Sequence, residues 1–558
     1  MQAGAAAGGS LLLPLRWAGG ALGQTMPRTV DPATLPMFVD SLPVPPTWTA
    51  EQLAGRGLTM AESVHQFHRD LFPSRTWGYG GATYLGPTIE GRRGEPVSFL
   101  ARNRLGPHIL GVDEALHGPD MANDQFVPRV SLHLHGGYTE PASDGYPEDT
   151  FIPGENHIYN YAMDQQAGTI WYHDHALGIT RLNVYAGLAA FFPIRDGEAE
   201  GGLPPRPFEV PLAIQDKTFL EASGGMNPLF YPDPWEPEFF GDVAVVNGKV
   251  WPNLDVVRGL YRFRLLNGSS SRFYNLFLEP ALPMWLIGTE SGFVPSPIPL
   301  TNIVLAPGER ADVLIDFNGR TAGDRVRLRN APLPPEVVSP AEVDIPDIMQ
   351  FTVGRRRGFP SRIPTTLRAY PAPTETPVTE RNLLLVEIID PVTDEPVMAL
   401  LNNRRWATSD IERPVVNTLE QWNLINLTED THPIHLHLAQ FRLQGRQPID
   451  AEGYLEDVLG TAELHPDDVG SGDRPFPSAD PYATGPATGP AVFEDGWKDT
   501  IQAHPGMVTR IVVPFGGAAS ASVPFGAAFT FTGEYVWHCH ILDHEDHEMM
   551  LPYEVIAP

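Results

Sequence analysis

Short β-branched and aromatic runs are broken by glycine and proline along this chain, and three of them share one form, an apolar-rich strand-like segment closed by asparagine. They are Val97-Ser98-Phe99-Leu100-Ala101-Arg102-Asn103, Tyr261-Arg262-Phe263-Arg264-Leu265-Leu266-Asn267 and Gln421-Trp422-Asn423-Leu424-Ile425-Asn426, with terminal asparagines 164 and 159 residues apart. A second echo joins Ala306-Pro307-Gly308, leading into Val313 to Phe317, with His504-Pro505-Gly506, leading into Ile511 to Phe515. Whole domains are repeated. Glycine and proline make up about a fifth of the residues, above average usage but short of the level that marks disorder, so the pattern predicts a turn-rich all-β protein.

The repeat divides the chain into a tail at 1–39, domains at 40–196, 203–356 and 380–558, and a linker at 357–379. The stretch from Ala451 to Phe493, rich in Gly, Pro, Asp and Ala, is expected as a long surface insertion in the third domain.

Ten of the 18 histidines fall in four clusters: His133 and His135; His173 and His175; His432, His435 and His437; and His538, His540 and His544. On a strand, side chains alternate faces, so each His-x-His pair presents two imidazoles to one side. Four such pairs bring eight imidazoles toward one place. The same alternation sends Cys539, the chain's one cysteine, to the face opposite His538 and His540. His432 likewise leaves the face of His435 and His437, so Cys539 and His432 share a second site. Thiolate, two imidazoles and a thioether are the ligands of a blue-copper centre, and Cys539, His544 and Met549 supply three of the four. Zinc would bind such donors but is redox-inert, which would leave the link between the sites without purpose. All the clustered histidines lie in the first and third repeats. The middle repeat carries serines and Arg272 where the third has ligands, and is expected to be a spacer.

A net charge of −30 opposes nucleic-acid binding, which needs a basic surface. A single cysteine excludes an intrachain disulfide. Every apolar run breaks well short of the roughly 18 residues that a membrane span needs. Residues 1–25 look like the apolar core and cleavage region of a twin-arginine export signal that has lost its charged start; a disordered tail is the alternative. The first choice places the protein in the periplasm or outside the cell, the second in the cytoplasm or on a spore.

With these motifs in hand, the chain resembles bacterial three-domain multicopper oxidases, closest to spore-coat-type laccases, bilirubin oxidases and phenoxazinone synthases. The similarity is densest at Gly496-Trp497-Lys498-Asp499-Thr500-Ile501 and from Gly533 to Met550. The resemblance implies three consecutive cupredoxin-like Greek-key β-sandwich domains and four copper ions. It implies a type 1 copper on His432, Cys539, His544 and axial Met549, a type 2 copper on His133 and His435, and a type 3 pair on His135, His173, His175, His437, His538 and His540. It also implies dioxygen as acceptor, a small aromatic reducing substrate such as a phenol, aminophenol or bilirubin-type pigment, and Asp144 and Glu545 as proton carriers. Donors are expected at the edge of His432 or His544. The bland readings are a simple Asp-Gly turn for Asp144 and a hydrogen-bond partner of a ligand for Glu545. Asp543, Asp546, His547 and Glu548 are expected on a solvated acidic surface.

Two other functions compete. A metallo-oxidase of Fe(II) or Cu(I) would use surface carboxylates or a methionine-rich insertion, and residues 451–493 contain no methionine. A structural cupredoxin-fold protein would have lost ligands, and none is missing here.

Overall fold

The computed structural model describes residues 27–116, 118, 121–341, 344–360, 362–392, 396–516 and 530–558. The export-signal expectation, made for residues 1–25, lies outside the described residues. From Val30 onward the expected tail lies against the middle of the molecule, with Val30 N–H on Phe219 O, Phe38 N–H on Trp251 O and Leu42 N–H on Asn253 O.

Six sheets form three pairs along the chain. Each of the three recurring segments becomes a central strand: Val97–Arg104, Leu260–Asn267 and Thr418–Asn426. Each has a parallel neighbour earlier in sequence (Leu58–His65, Glu209–Phe219, Thr379–Ile389) and an antiparallel neighbour later (Asn156–Tyr161, Arg310–Asp316, Met507–Phe515).

The recurring asparagine has one physical job in all three places. Asn103, Asn267 and Asn426 are fully buried. Each side-chain oxygen accepts the backbone N–H two residues on, at 3.1, 3.1 and 2.9 Å, which turns the chain out of the strand. Each amide donates to two carbonyls of other segments: Pro128 and Phe151, Arg272 and Leu305, Asp430 and Ala503. A buried amide left without such partners would be costly, so the side chain that ends the strand also pins the loops around it.

The apolar core is not divided where the sequence pattern divides the chain. Trp171, Ile179, Leu182 and Tyr185 of the first unit pack in one continuous cluster with Val210, Phe219, Val245 and Phe263 of the middle unit, and Leu542 of the third unit joins it.

Two expectations are corrected. The Ala451–Phe493 stretch is not simply a surface insertion: a helix at Ala451–Leu459, capped by Asp450, and the coil after it bury Tyr454, Leu455, Leu464 and Phe476 against Leu384, Val386, Ile425 and Val508 on the outer face of a sheet. The acidic run after Leu542 is not solvated. Asp543 accepts from Tyr231 Oη at 2.8 Å and Ser271 Oγ at 2.9 Å. Asp546 accepts the backbone N–H groups of Thr180 and Arg181 and the Arg181 guanidinium at 3.0 Å, and Glu548 accepts Trp406 N–H at 2.7 Å. Asp543 and Asp546 fasten the segment carrying His544 to the middle and first units, while Glu548 holds it to Trp406 within the third unit. His547 lies against the Trp235 ring, 4.1 Å between centroids.

Arg181 is fully buried between Asp543 and Asp546, so Arg181→Met leaves two interior carboxylates without a counter-charge. The expected cost is about 3–5 kcal/mol in the unfolding free energy of the metal-free protein by denaturant titration. A loss below about 1 kcal/mol would show that the pair does not hold the interface.

Candidate metal centres

The two groups of candidate ligands meet on one strand. Gly533–Cys539 runs antiparallel to His432–Leu436, with Cys539 opposite Ile434 and His538 opposite His435. Facing residues share a side, so Cys539 falls on the His432 side and His538 on the His435 side. Cys539 Sγ lies 3.6 Å from His432 Nδ1 and 3.8 Å from His544 Nδ1. Thr428 Oγ1 lies 2.7 Å from His432 Nε2, which fixes the ring with Nδ1 toward the sulfur. Met549 is fully buried in the apolar cluster that holds Cys539, with its N–H on His544 O and its carbonyl accepting Cys539 N–H, both at 3.0 Å. Met550 packs elsewhere, against Leu177, Trp406 and Val536.

Both imidazoles are buried, His432 fully and His544 with 6% exposure, so of the two expected edges His544 lies nearer the surface. Burial pushes the Cys539 thiol well above its usual range, Ile541 N–H opposes this, and the nearby carboxylates Glu238, Glu545 and Asp430 add to it. A nearby cation would favour the thiolate in this place, and a soft metal suits that sulfur.

The eight paired imidazoles converge between the first and third units. Strands Leu132–His135 and Gly168–Asp174 set His133 opposite His173, and the third unit sets His435 opposite His538. The Nε2 atoms of His175, His437 and His538 lie 3.2 to 3.3 Å apart. Their Nδ1 atoms face acceptors: His437 has Asp144 Oδ2 at 2.7 Å, His538 has Cys539 O at 3.0 Å, and His175 has Glu545 Oε1 at 3.5 Å. Three lone pairs thus point at one another. His133, His173 and His435 give their Nδ1 protons to the carbonyls of Asp144, Asp174 and Asp499 at 2.6, 2.8 and 2.7 Å. Their Nε2 atoms, with His135 Nδ1 and both ring nitrogens of His540, are buried without a hydrogen-bond partner. Burial, reinforced by neighbouring imidazoles, holds most of these rings well below the usual histidine range, so they stand as neutral ligands. Buried imidazole nitrogens with aimed, unused lone pairs fit copper ions.

Both candidate proton carriers touch this cluster from outside. Asp144 receives Thr139 Oγ1 at 2.8 Å and His437 Nδ1, and burial raises its carboxyl to about 7. Glu545 Oε2 lies 3.0 Å from His538 Nδ1; burial raises its pKa, but His538 and His175 outweigh this and hold it well below the usual range. The two carboxylates are pushed in opposite directions, one toward a proton near neutrality and one toward the anion.

Sequence reasoning missed Asp499. It is fully buried, with Oδ1 3.0 Å from His135 Nε2, and it meets His135 across 364 residues. The only local signal was its place in the Gly496 to Ile501 run. The middle unit is also more than a spacer: Arg310 pairs with Asp499, and a Cβ on Gly308 (φ +80°) would stand 2.7 Å from the His540 ring.

A buried cysteine between two imidazoles, joined by one strand to a cluster of eight further imidazoles, is a donor set suited to a copper oxidoreductase. Sequence profiles described as multicopper oxidase match residues 120–199 and 377–557. The chain is 39% identical over 553 residues to a laccase of Bacillus subtilis (strain 168), covering 94% of this chain and 99% of that protein. It is 35% identical over 563 residues to multicopper oxidase LPR2 of Arabidopsis thaliana, covering 95% and 94%. The crystal structure of McoA multicopper oxidase from the hyperthermophile Aquifex aeolicus superposes with a TM-score of 0.71 at 24% identity, over 92% of this chain and 99% of that one, and so shares the fold of cupredoxin-like β-sandwiches. The chain belongs to the multicopper oxidase family. It is a copper-dependent oxidoreductase that passes electrons from a reducing substrate to dioxygen.

Copper-loaded protein is expected to be blue through the Cys539 thiolate, and Cys539→Ser to lose the visible band and donor oxidation while retaining copper in the cluster. A serine variant with the charge-transfer band intact would overturn the assignment of Cys539.

Proposed function

We propose that the chain is a laccase-like oxidase holding four copper ions: type 1 on His432, Cys539, His544 and axial Met549, type 2 on His133 and His435, and the type 3 pair on His135, His173, His175, His437, His538 and His540. The observation that carries this reading is the run His538-Cys539-His540 at the end of the strand Gly533–Cys539, with the thiol toward one cluster and two imidazoles toward the other. Bound in these sites, copper supplies one-electron acceptance at the thiolate and four-electron reduction of dioxygen to water at the imidazole cluster.

The chain's own residues divide the remaining work. His544, the less deeply buried imidazole of the thiolate site, is the proposed point of contact for the donor. The Cys539 backbone joins that site directly to His538 and His540. Organic donors give electrons one at a time, whereas dioxygen takes four with four protons, so electrons must be pooled and protons delivered. Delivery of those protons is assigned to Asp144, whose carboxyl beside His437 is raised toward neutrality, and to Glu545, whose carboxylate beside His538 accepts a proton in passing and hands it on; their contacts with these rings support the reading. Small phenols, aminophenols or bilirubin-type pigments are the proposed donors, a class supported by the laccase relatives.

A second reading, oxidation of a metal cation such as Fe(II), is favoured by one observation. Glu238 Oε1 lies 3.6 Å from His544 Nε2, and burial, followed by the charges of Asp430 and Glu387, raises its carboxyl well above the usual range. A cation would relieve that crowding. Oxygen consumption by copper-loaded protein with a methoxyphenol, an o-aminophenol, bilirubin, Cu(I) and Fe(II) separates the readings. The laccase-like reading expects the highest kcat/KM with an organic donor and little change in Glu238→Gln. Fastest turnover with Fe(II), lost in Glu238→Gln, would replace it.

Asp144→Asn and Glu545→Gln are expected to keep all their copper and accept electrons from the donor at near-normal speed, yet to turn over about 10² to 10⁴ times more slowly, with reduced copper accumulating under air. A loss under about threefold in both, or loss of copper, would return these residues to structural roles.

A further inference from the structure

His135 is turned the opposite way from the rings around it. Where His133, His173 and His435 donate from Nδ1 to a carbonyl, His135 directs Nε2 to Asp499 Oδ1 and Thr500 Oγ1, each at 3.0 Å, and leaves Nδ1 buried without a partner on the cluster side. Asp499 is itself immobilised. Arg310 grips both of its oxygens, at 2.8 and 2.5 Å, Thr500 Oγ1 donates to Oδ1 at 2.9 Å, and Ser291 Oγ to Oδ2 at 3.2 Å. Arg310 spends its other donors on Thr169 O at 2.9 Å and Gly308 O at 2.8 Å, so one guanidinium from the middle unit ties the first and third units at the cluster. Space is made for this contact: a Cβ on Gly136, the residue after His135, would stand 2.4 Å from Asp499 Oδ2 and 3.0 Å from Arg310.

We propose that Asp499, locked by Arg310, is a positioning residue that keeps the proton of His135 on Nε2 and thereby presents Nδ1 as the lone pair for the copper cluster. A neutral imidazole has one donor and one acceptor nitrogen, so the partner of one nitrogen decides the role of the other. With Arg310 on both oxygens, the Asp499 carboxylate only accepts, and Nε2 must carry the hydrogen. An asparagine there can turn its NH₂ to Nε2, favour the other tautomer and remove the lone pair from Nδ1. The proposal rests on the copper cluster proposed above and assigns it a residue from the middle unit.

The test is equilibrium copper titration of the full-length chain, reading copper per chain by atomic absorption and the blue band separately. Asp499→Asn is expected to keep the blue band, because the Cys539 site lies on the other face of its strand, and to bind copper in the cluster about 10-fold to 100-fold more weakly. Arg310→Lys, which keeps the charge but loses the two-pronged grip, is expected to fall between wild type and Arg310→Met. Thr500→Val removes the hydroxyl and leaves the carboxylate, and is expected to stay within about threefold of wild type. Native cluster affinity in Asp499→Asn, or an equal loss in Thr500→Val, overturns the proposal. If Asp499→Asn yields no blue protein, Arg310→Lys decides by the same criterion, native affinity overturning it. Wild type is the control for the underlying reading: wild type that binds only the blue copper defeats the cluster itself, and the clamp with it.

Discussion

Successive side chains of a β-strand point to opposite faces, and the rest of this protein depends on that alternation at His538-Cys539-His540. Two clusters of candidate ligands, one with the Cys539 thiol and one of imidazoles, are built a single peptide apart. Neither site can be moved without moving the other. The partner strand His432–Leu436 obeys the same alternation, so His432 joins the sulfur while His435 joins the imidazoles. The strands Thr500–Ala503 and Met550–Val555 flank this pair in the same sheet.

Register alone does not close the cluster, because half of its imidazoles come from a sheet some three hundred residues earlier. The closing forces are polar and buried. Asp543 and Asp546 tie the His544 segment to the middle and first units, and Arg310 ties Asp499 to Thr169. Buried ion pairs contribute little net stability against a well-packed apolar alternative, but removing one partner is expensive. That asymmetry suits a site that must be assembled from distant pieces, since a misaligned interface would strand charges in the interior.

What could be read in the sequence was what is local. His-x-His on a strand is a two-residue statement, and the four pairs converge in space while Cys539 lies apart from them with His432, as that spacing suggests. The repeated Asn103, Asn267 and Asn426 announced the architecture because each acts on its own neighbourhood first. The deeper burial of His432 than of His544 depends on loops that no spacing describes. Asp499 and Arg310 escaped notice because their contacts with His135 and with each other span 364 and 189 residues. The acidic run Asp543, Asp546 and Glu548 was misread because charge usually means solvent, and only its partners Arg181, Tyr231 and Trp406 reveal otherwise. The stretch after Ala451 was misread for its composition, since a few apolar residues, Tyr454, Leu455 and Phe476, suffice to seat it on a sheet.

The central claim is that one strand serves two copper sites. Anomalous diffraction from crystals of the copper-loaded protein, collected on both sides of the copper absorption edge, tests it most directly. The account predicts one copper peak bounded by Cys539, His432 and His544, and three more among the eight paired imidazoles on the opposite face of the Cys539 strand. A single peak at the thiolate with none among the imidazoles, or peaks that persist below the copper edge, would contradict it.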